Sequence, residues 1–209
     1  SSGFVQTETK HQEWPVGSVR WTRTFRQGVL TLLALGTDFR HREGSSVQTN
    51  VGGTPALSAI NSSSITPNAQ LALRNGMSIA AGLTDLEQRN TSNGNETRLD
   101  QRDLTGSFNY AFRLPRSLSR GRKQVRSSLT MLSTTARTCL QQQLLPECTV
   151  VSDVARQEFR GGLDTDLLQA LTGGLQAGYS VNDARHLSRR TSQISIIVSF
   201  QLSLFAGDY

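Results

Sequence analysis

Hydrophobic and polar residues alternate with a period of two along most of this chain. At its end Ile194, Ile196, Val198, Phe200, Leu202 and Leu204 share one parity, against Ser195, Ser199, Gln201 and Ser203, with Ile197 and Phe205 as departures. Such a segment predicts a β-strand with one apolar and one hydroxyl- or amide-bearing face. Leu171, Gly173, Leu175, Ala177, Tyr179 and Val181 alternate with Thr172, Gly174, Gln176, Gly178 and Ser180 in the same way. Over 151–167 the pattern is weaker, with Ala155, Phe159, Leu163 and Leu167 opposite Arg156, Glu158, Arg160 and Asp164. Earlier strands are predicted around Val125–Met131, Leu104–Leu114, Met77–Leu83, Ala69–Leu73, Val29–Arg40 and Ser18–Arg26. Asn75-Gly76 lies between two of them, and Asn-Gly is the strongest short hairpin signal in sequence. The sum is an all-β chain of about nine strands of roughly 9–16 residues, long against the usual five or six.

The connections predict the architecture. Gln27-Gly28, Asn75-Gly76 and Asp166–Ala170 are short, and Pro115–Gln124 is moderate. Between them fall longer polar stretches, Glu43–Ser64, Gln88–Arg98, Cys139–Thr149 and Asn182–Arg189. Alternation of short and long connections predicts an antiparallel up-and-down transmembrane β-barrel, with tight periplasmic turns and long outer loops. Residues 1–209 then form a single barrel segment, the C-terminal part of a longer chain. On that pattern the first and last strands both run inward, and an odd set beginning outside needs at least one further strand upstream. The alternative is an extracellular β-sandwich or adhesin-type module that binds rather than conducts.

Composition sharpens this choice. The hydrophobic fraction is 36%, below the roughly 45–50% of globular domains, as a structure needing one apolar residue in two requires. The longest apolar run, Val29–Gly36, is too short for a membrane helix of about 20 residues. Lipid then leaves a closed barrel as the remaining way to satisfy the backbone. Two features oppose a barrel. Aromatic content is only 6%, thin for interfacial girdles. Arg23 also shares parity with Trp21 and Phe25, which suggests either an interfacial position or, the reading we favour from sequence, a wrong register.

The net charge is +6, carried almost entirely by arginine. Arg113, Arg116, Arg120, Arg122, Lys123 and Arg126 cluster, but without interleaved aromatics they read as a solvated charged turn, and no nucleic-acid partner is expected. Cys139 and Cys148, the only cysteines, read as a loop disulfide of an oxidising compartment. His11, His41 and His186 are scattered, so no metal is expected. Gly161-Gly162 and Gly173-Gly174 open no helix, so no phosphate loop and no cofactor are expected. Asp164 and Asp166 share a strand face without a His, Cys or ligand partner nearby, and we expect no enzyme. Asn61-Ser62-Ser63, Asn90-Thr91-Ser92 and Asn95-Glu96-Thr97 match the glycosylation pattern, which residues this rich in Asn, Ser and Thr produce by chance.

Along LTGSFNYAFRLPRSL, CLQQQLLPEC and LTGGLQAGYSVNDARHLSRRTSQISIIVSFQLSLFAG, the chain resembles the C-terminal portion of SprA-like giant outer-membrane barrels of the type IX secretion translocon. The resemblance is one of strand texture over about the last half. It implies a bacterial outer-membrane location, protein secretion through the lumen, and as partners the rest of the parent barrel, periplasmic and plug proteins and secreted cargo. The terminal Tyr209 resembles the C-terminal insertion signal of such barrels.

The polar parity carries the expected lumen-facing residues Arg126, Arg156, Glu158, Arg160 and Asp164. The apolar parity carries the expected lipid-facing residues Leu175, Tyr179, Ile194, Ile196, Val198, Phe200, Leu202 and Leu204. Transport or protein secretion through the lumen is the expected function, with the lipid bilayer as the first partner.

Overall fold

The structure, a computed structural model, describes residues 5–50, 56–113, 124–142, 147–168 and 171–202. Nine strands follow one another, each antiparallel to the last: β1 (Val5–Thr24), β2 (Leu30–Asn50), β3 (Ala56–Leu73), β4 (Met77–Ser92), β5 (Asn95–Arg113), β6 (Gln124–Gln141), β7 (Thr149–Leu168), β8 (Leu171–Ala184) and β9 (Arg189–Leu202). They form one sheet in the order β1 to β9, each strand bonded to its sequence neighbours. The fold is an up-and-down β-barrel segment of outer-membrane type. The sandwich alternative is overturned, because all the described strands belong to one sheet and no second sheet covers its apolar face.

The strands are longer than their sequence pattern suggests, at 14–21 residues. The long connections expected from sequence are therefore corrected. Glu43–Ser64 is mostly paired strand, with Glu43 opposite Asn61 and Gln48 opposite Ala56. Gln88–Arg98 is a hairpin closed by Asn93-Gly94, both at positive φ, as the primed two-residue turn demands. Asn182–Arg189 contains only a short 3₁₀ turn at Arg185–Leu187. In these three stretches hydrogen-bonded strand continues with side chains mostly polar on both faces, so the period-two signal is weak there, whereas Cys139–Thr149 lies partly outside the described residues. The three glycosylation patterns lie on strands accordingly.

At the other end of the sheet the two turns that are fully described, between β1 and β2 and between β3 and β4, are tight. Gly28 and Gly76 take positive φ, and Asn75 Oδ1 accepts from the Met77 amide at 3.1 Å. Pro15, which cannot donate to a ladder, sits on the edge strand β1 at the irregularity between Glu13 and Val16, where edge position and bulge both accommodate it.

This sheet has almost no core. Among the described hydrophobic residues only Cys139 and Val181 are buried. The molecule's energetics therefore depend on what its two faces meet.

Candidate functional site: two chemically opposite faces

Residues paired across an antiparallel ladder share a face, so the pairing sorts every strand position. One row runs Trp21, Leu35, Ala69, Ala81, Gly106, Met131, Phe159, Tyr179, Ile194. It crosses all nine strands without one charged or amide side chain. Flanking rows add Phe39, Ile65, Ile79, Leu83, Leu104, Phe108, Leu129, Leu163, Leu175, Val198 and Phe200 on the same face. These are not buried: Ile194 is 74% exposed, Ile196 70% and Phe200 68%. So wide a continuous exposed apolar face is far beyond what a protein keeps against water.

The adjacent row on the other face runs Arg20, Gly36, Asn68, Gly82, Thr105, Leu132, Glu158, Ser180, Gln193. Leu132 is its one large apolar member. Crowding differs between the faces. A Cβ added to Gly36, Gly82, Gly162, Gly174 or Gly178 on the polar face would lie within 3.0 Å of a neighbouring side chain; on the apolar face Gly106 and Gly161 have nothing nearer than 3.9 Å, while Gly17 would meet Phe39 Cζ at 2.5 Å. In a barrel wall of this kind the polar face is the concave one and the apolar face the convex one, and the two faces are named so below.

The apolar band also crosses the hydrogen-bonded rows obliquely. The row of Phe39 and Ile65 continues as Asp85, Arg102, Thr135, Ala155, Asp183 and Arg190. A level boundary can cut across a row only if the strands are tilted to it, and barrel strands tilt by about 35–45°. On β9 the band from Ile194 to Leu202 covers about 26 Å along the strand, or about 20 Å along the normal at that tilt, near the apolar height of an outer-membrane barrel.

Beyond the band, at the end opposite the tight turns, the convex face carries ion pairs. Arg102 donates to Asp85 at 2.8 Å, Arg89 to Glu87 at 2.7 Å and Arg98 to Asp100 at 3.1 Å. The hydrogen bond from Arg89, with Arg98 nearby, holds the Glu87 carboxyl below its ordinary pKa. The sequence pattern places only Gln88–Arg98 in a loop and gives 84–87 and 99–103 to no element, which hides the ladder. Cys139, at the far end of β6, is disulfide-bonded to Cys148, bracing the connection from β6 to β7.

All five residues expected to face the lumen, Arg126, Arg156, Glu158, Arg160 and Asp164, lie on the concave face. Arg126 is opposite Asp164, and Glu158 is held between its neighbours on β7: Arg156 Nη2 donates to Glu158 Oε2 at 2.8 Å, and Arg160 Nε forms an ion pair with Oε1. Leu175, Tyr179, Ile194, Ile196, Val198, Phe200 and Leu202 share the opposite parity, whereas Leu204 and Tyr209 lie outside the described residues. Of the basic cluster only Arg113 and Arg126 are described, both on strands. Ile197 stands on the concave face, opposite Gln176 and 55% exposed.

Arg23 requires a correction. The register favoured as wrong from sequence is present, with Arg23 opposite Leu33 and Trp21 opposite Leu35. The charge is tolerable because Arg23 stands one residue from the end of β1, beside a tight turn, with its guanidinium carbon 5.3 Å from the Phe25 ring centroid. In a membrane, a long side chain at that position would reach the interface.

No family model and no curated protein matches the chain. Among solved structures it is similar to the alcaligin outer-membrane receptor FauA from Bordetella pertussis, with a TM-score of 0.51, 11% sequence identity and 98% of this chain covered. The chain spans 40% of the length of that receptor. At this identity the likeness establishes the fold, that of an outer-membrane β-barrel wall.

Proposed function

We propose that the chain is part of the wall of an outer-membrane β-barrel and serves transport along its polar concave face. The observation that carries this reading is the apolar row spanning all nine strands on the convex face, backed by a concave row of polar residues. In this reading the convex face meets the bilayer and Arg126, Arg156, Glu158, Arg160 and Asp164 line the lumen. The tight turns are periplasmic and the long polar hairpins extend outward, so direction is carried by how far the strands continue past the band, not by loop length. The wall guides and selects without catalysing, and needs no cofactor. The outward similarity to an outer-membrane receptor supports the location.

The finer reading is protein secretion through a giant type IX barrel. Its support is the open sheet: β1 and β9 each bond on one side only among the described strands, leaving two edges for further strands of a parent barrel. Periplasmic and plug partners and secreted cargo belong to this reading.

Cell fractionation tests the general proposal. The protein should sediment with the outer membrane and resist extraction by salt or alkali, leaving only with detergent. Recovery in the aqueous phase without detergent would overturn the barrel reading. Loss of folded cargo from the cell surface on deletion would support secretion, and its normal appearance would remove it.

A further inference from the structure

We propose that the concave wall of β6–β9 binds the anionic group of a small solute, with Arg156 and Arg160 as the recognising pair. This rests on the proposed transport reading and names the class of solute it selects. Glu158 is about one-tenth exposed, yet it sits on an open face. What covers it is the two arginine side chains, one guanidinium on each carboxylate oxygen. Two positive charges against one negative leave this triad with a net charge of +1. The Arg160 side chain is 71% exposed and that of Arg156 is 55% exposed. Each guanidinium has five N–H donors, so most remain directed to solvent while Glu158 fixes where the groups stand. That is preorganisation: the ordering of two long side chains precedes the ligand.

The neighbouring strands supply space. An open groove of about 440 Å³ runs beside the triad, bordered by Ser128, Gln176, Gly178, Ser195 and Ile197. Gly178 lies opposite Arg160, and a Cβ there would come within 2.6 Å of Ser195 Oγ and 3.8 Å of Arg160 Cγ. At Gly162 the same addition would meet Ser128 Oγ at 2.8 Å. The glycines thus keep hydroxyl donors uncovered next to the guanidinia. Arg126, exposed and with no salt bridge among the described residues, continues the positive line about 13 Å toward the tight turns. A carboxylate or phosphate group fits this set, since paired guanidinia with flanking hydroxyls match its oxygens.

The test uses the full-length protein containing this chain, purified in detergent and titrated with citrate, inorganic phosphate and, as a neutral control, sucrose. Saturable binding of the two anions and none of sucrose is expected. Arg156→Gln and Arg160→Gln should each weaken binding about tenfold, as loss of a charge-assisted bond does. Gly178→Leu should weaken it without changing charge. Insertion of every variant into lipid vesicles confirms its fold. Anion binding that is absent, or as tight in both arginine variants as in the wild type, would overturn the inference. So would binding of poly-glutamate alone, which would assign the site to an acidic protein segment. Failure of the wild type to insert into vesicles would instead refute the barrel reading beneath it.

Discussion

Val198→Arg and Ile197→Arg differ by one position on β9, and they separate a lipid-facing wall from a water-facing sheet. Val198 is 61% exposed and Ile197 55% exposed, so neither substitution opens a core cavity. In water both would fall within the roughly 0.5 kcal/mol typical of surface changes. In a bilayer the two faces part. Val198 is the middle of the band from Ile194 to Leu202, where an arginine costs about 2–4 kcal/mol. Ile197 points to the concave face, where the guanidinium stays hydrated beside Gln176 and the cost is under about 1 kcal/mol. The assay is reversible denaturant unfolding of the protein in lipid vesicles, comparing midpoints at equal slope. A difference of 2 kcal/mol or more, with Val198→Arg the weaker, is expected. Equal values, or Ile197→Arg the weaker, would refute the assignment of faces.

Reduction of Cys139–Cys148, or Cys148→Ser, should lower stability by about 2–3 kcal/mol for a loop this short, measured by the same unfolding. Glu87 tests the ion-pair ladder. Its folded pKa lies below its ordinary value of 4.5, so its contribution is present above that value and is lost as pH falls through the folded one. Protection factors in the β4–β5 hairpin, corrected for the intrinsic pH dependence of exchange, should therefore fall below about pH 4.5 in the parent and change less in Glu87→Gln. Gly174→Val should destabilise, because its first added carbon would lie 2.6 Å from Asp164 Oδ1 and 2.7 Å from Ser199 Oγ. Gly161→Val on the open convex face should be tolerated, as the same unfolding assay would show.

The central half of each strand was legible in the sequence, because one face must be apolar and the other polar there and the period of two is unmistakable. Parity alone also placed Arg126, Arg156, Glu158, Arg160 and Asp164 on one face. The strand ends were illegible for a physical reason. Beyond Leu83 and before Leu104 both faces are polar, so Asp85, Glu87, Arg98 and Asp100 look like loop while pairing across β4 and β5. Asn93-Gly94 was the available signal, the same dipeptide that marked the turn at Asn75-Gly76. The groove was missed because a glycine in a strand does not reveal which neighbour needs its space. Arg23 was misjudged because parity shows the face of a residue but not its depth.

The alternation along β9 offers the most direct measurement. Single cysteines at 194–201, each labelled with an environment-sensitive fluorophore in protein reconstituted into vesicles, would be exposed to brominated lipid. Strong quenching at 194, 196, 198 and 200, and weak quenching at 195, 197, 199 and 201, is the predicted result. Quenching without a period of two, or its inverse, would contradict the account.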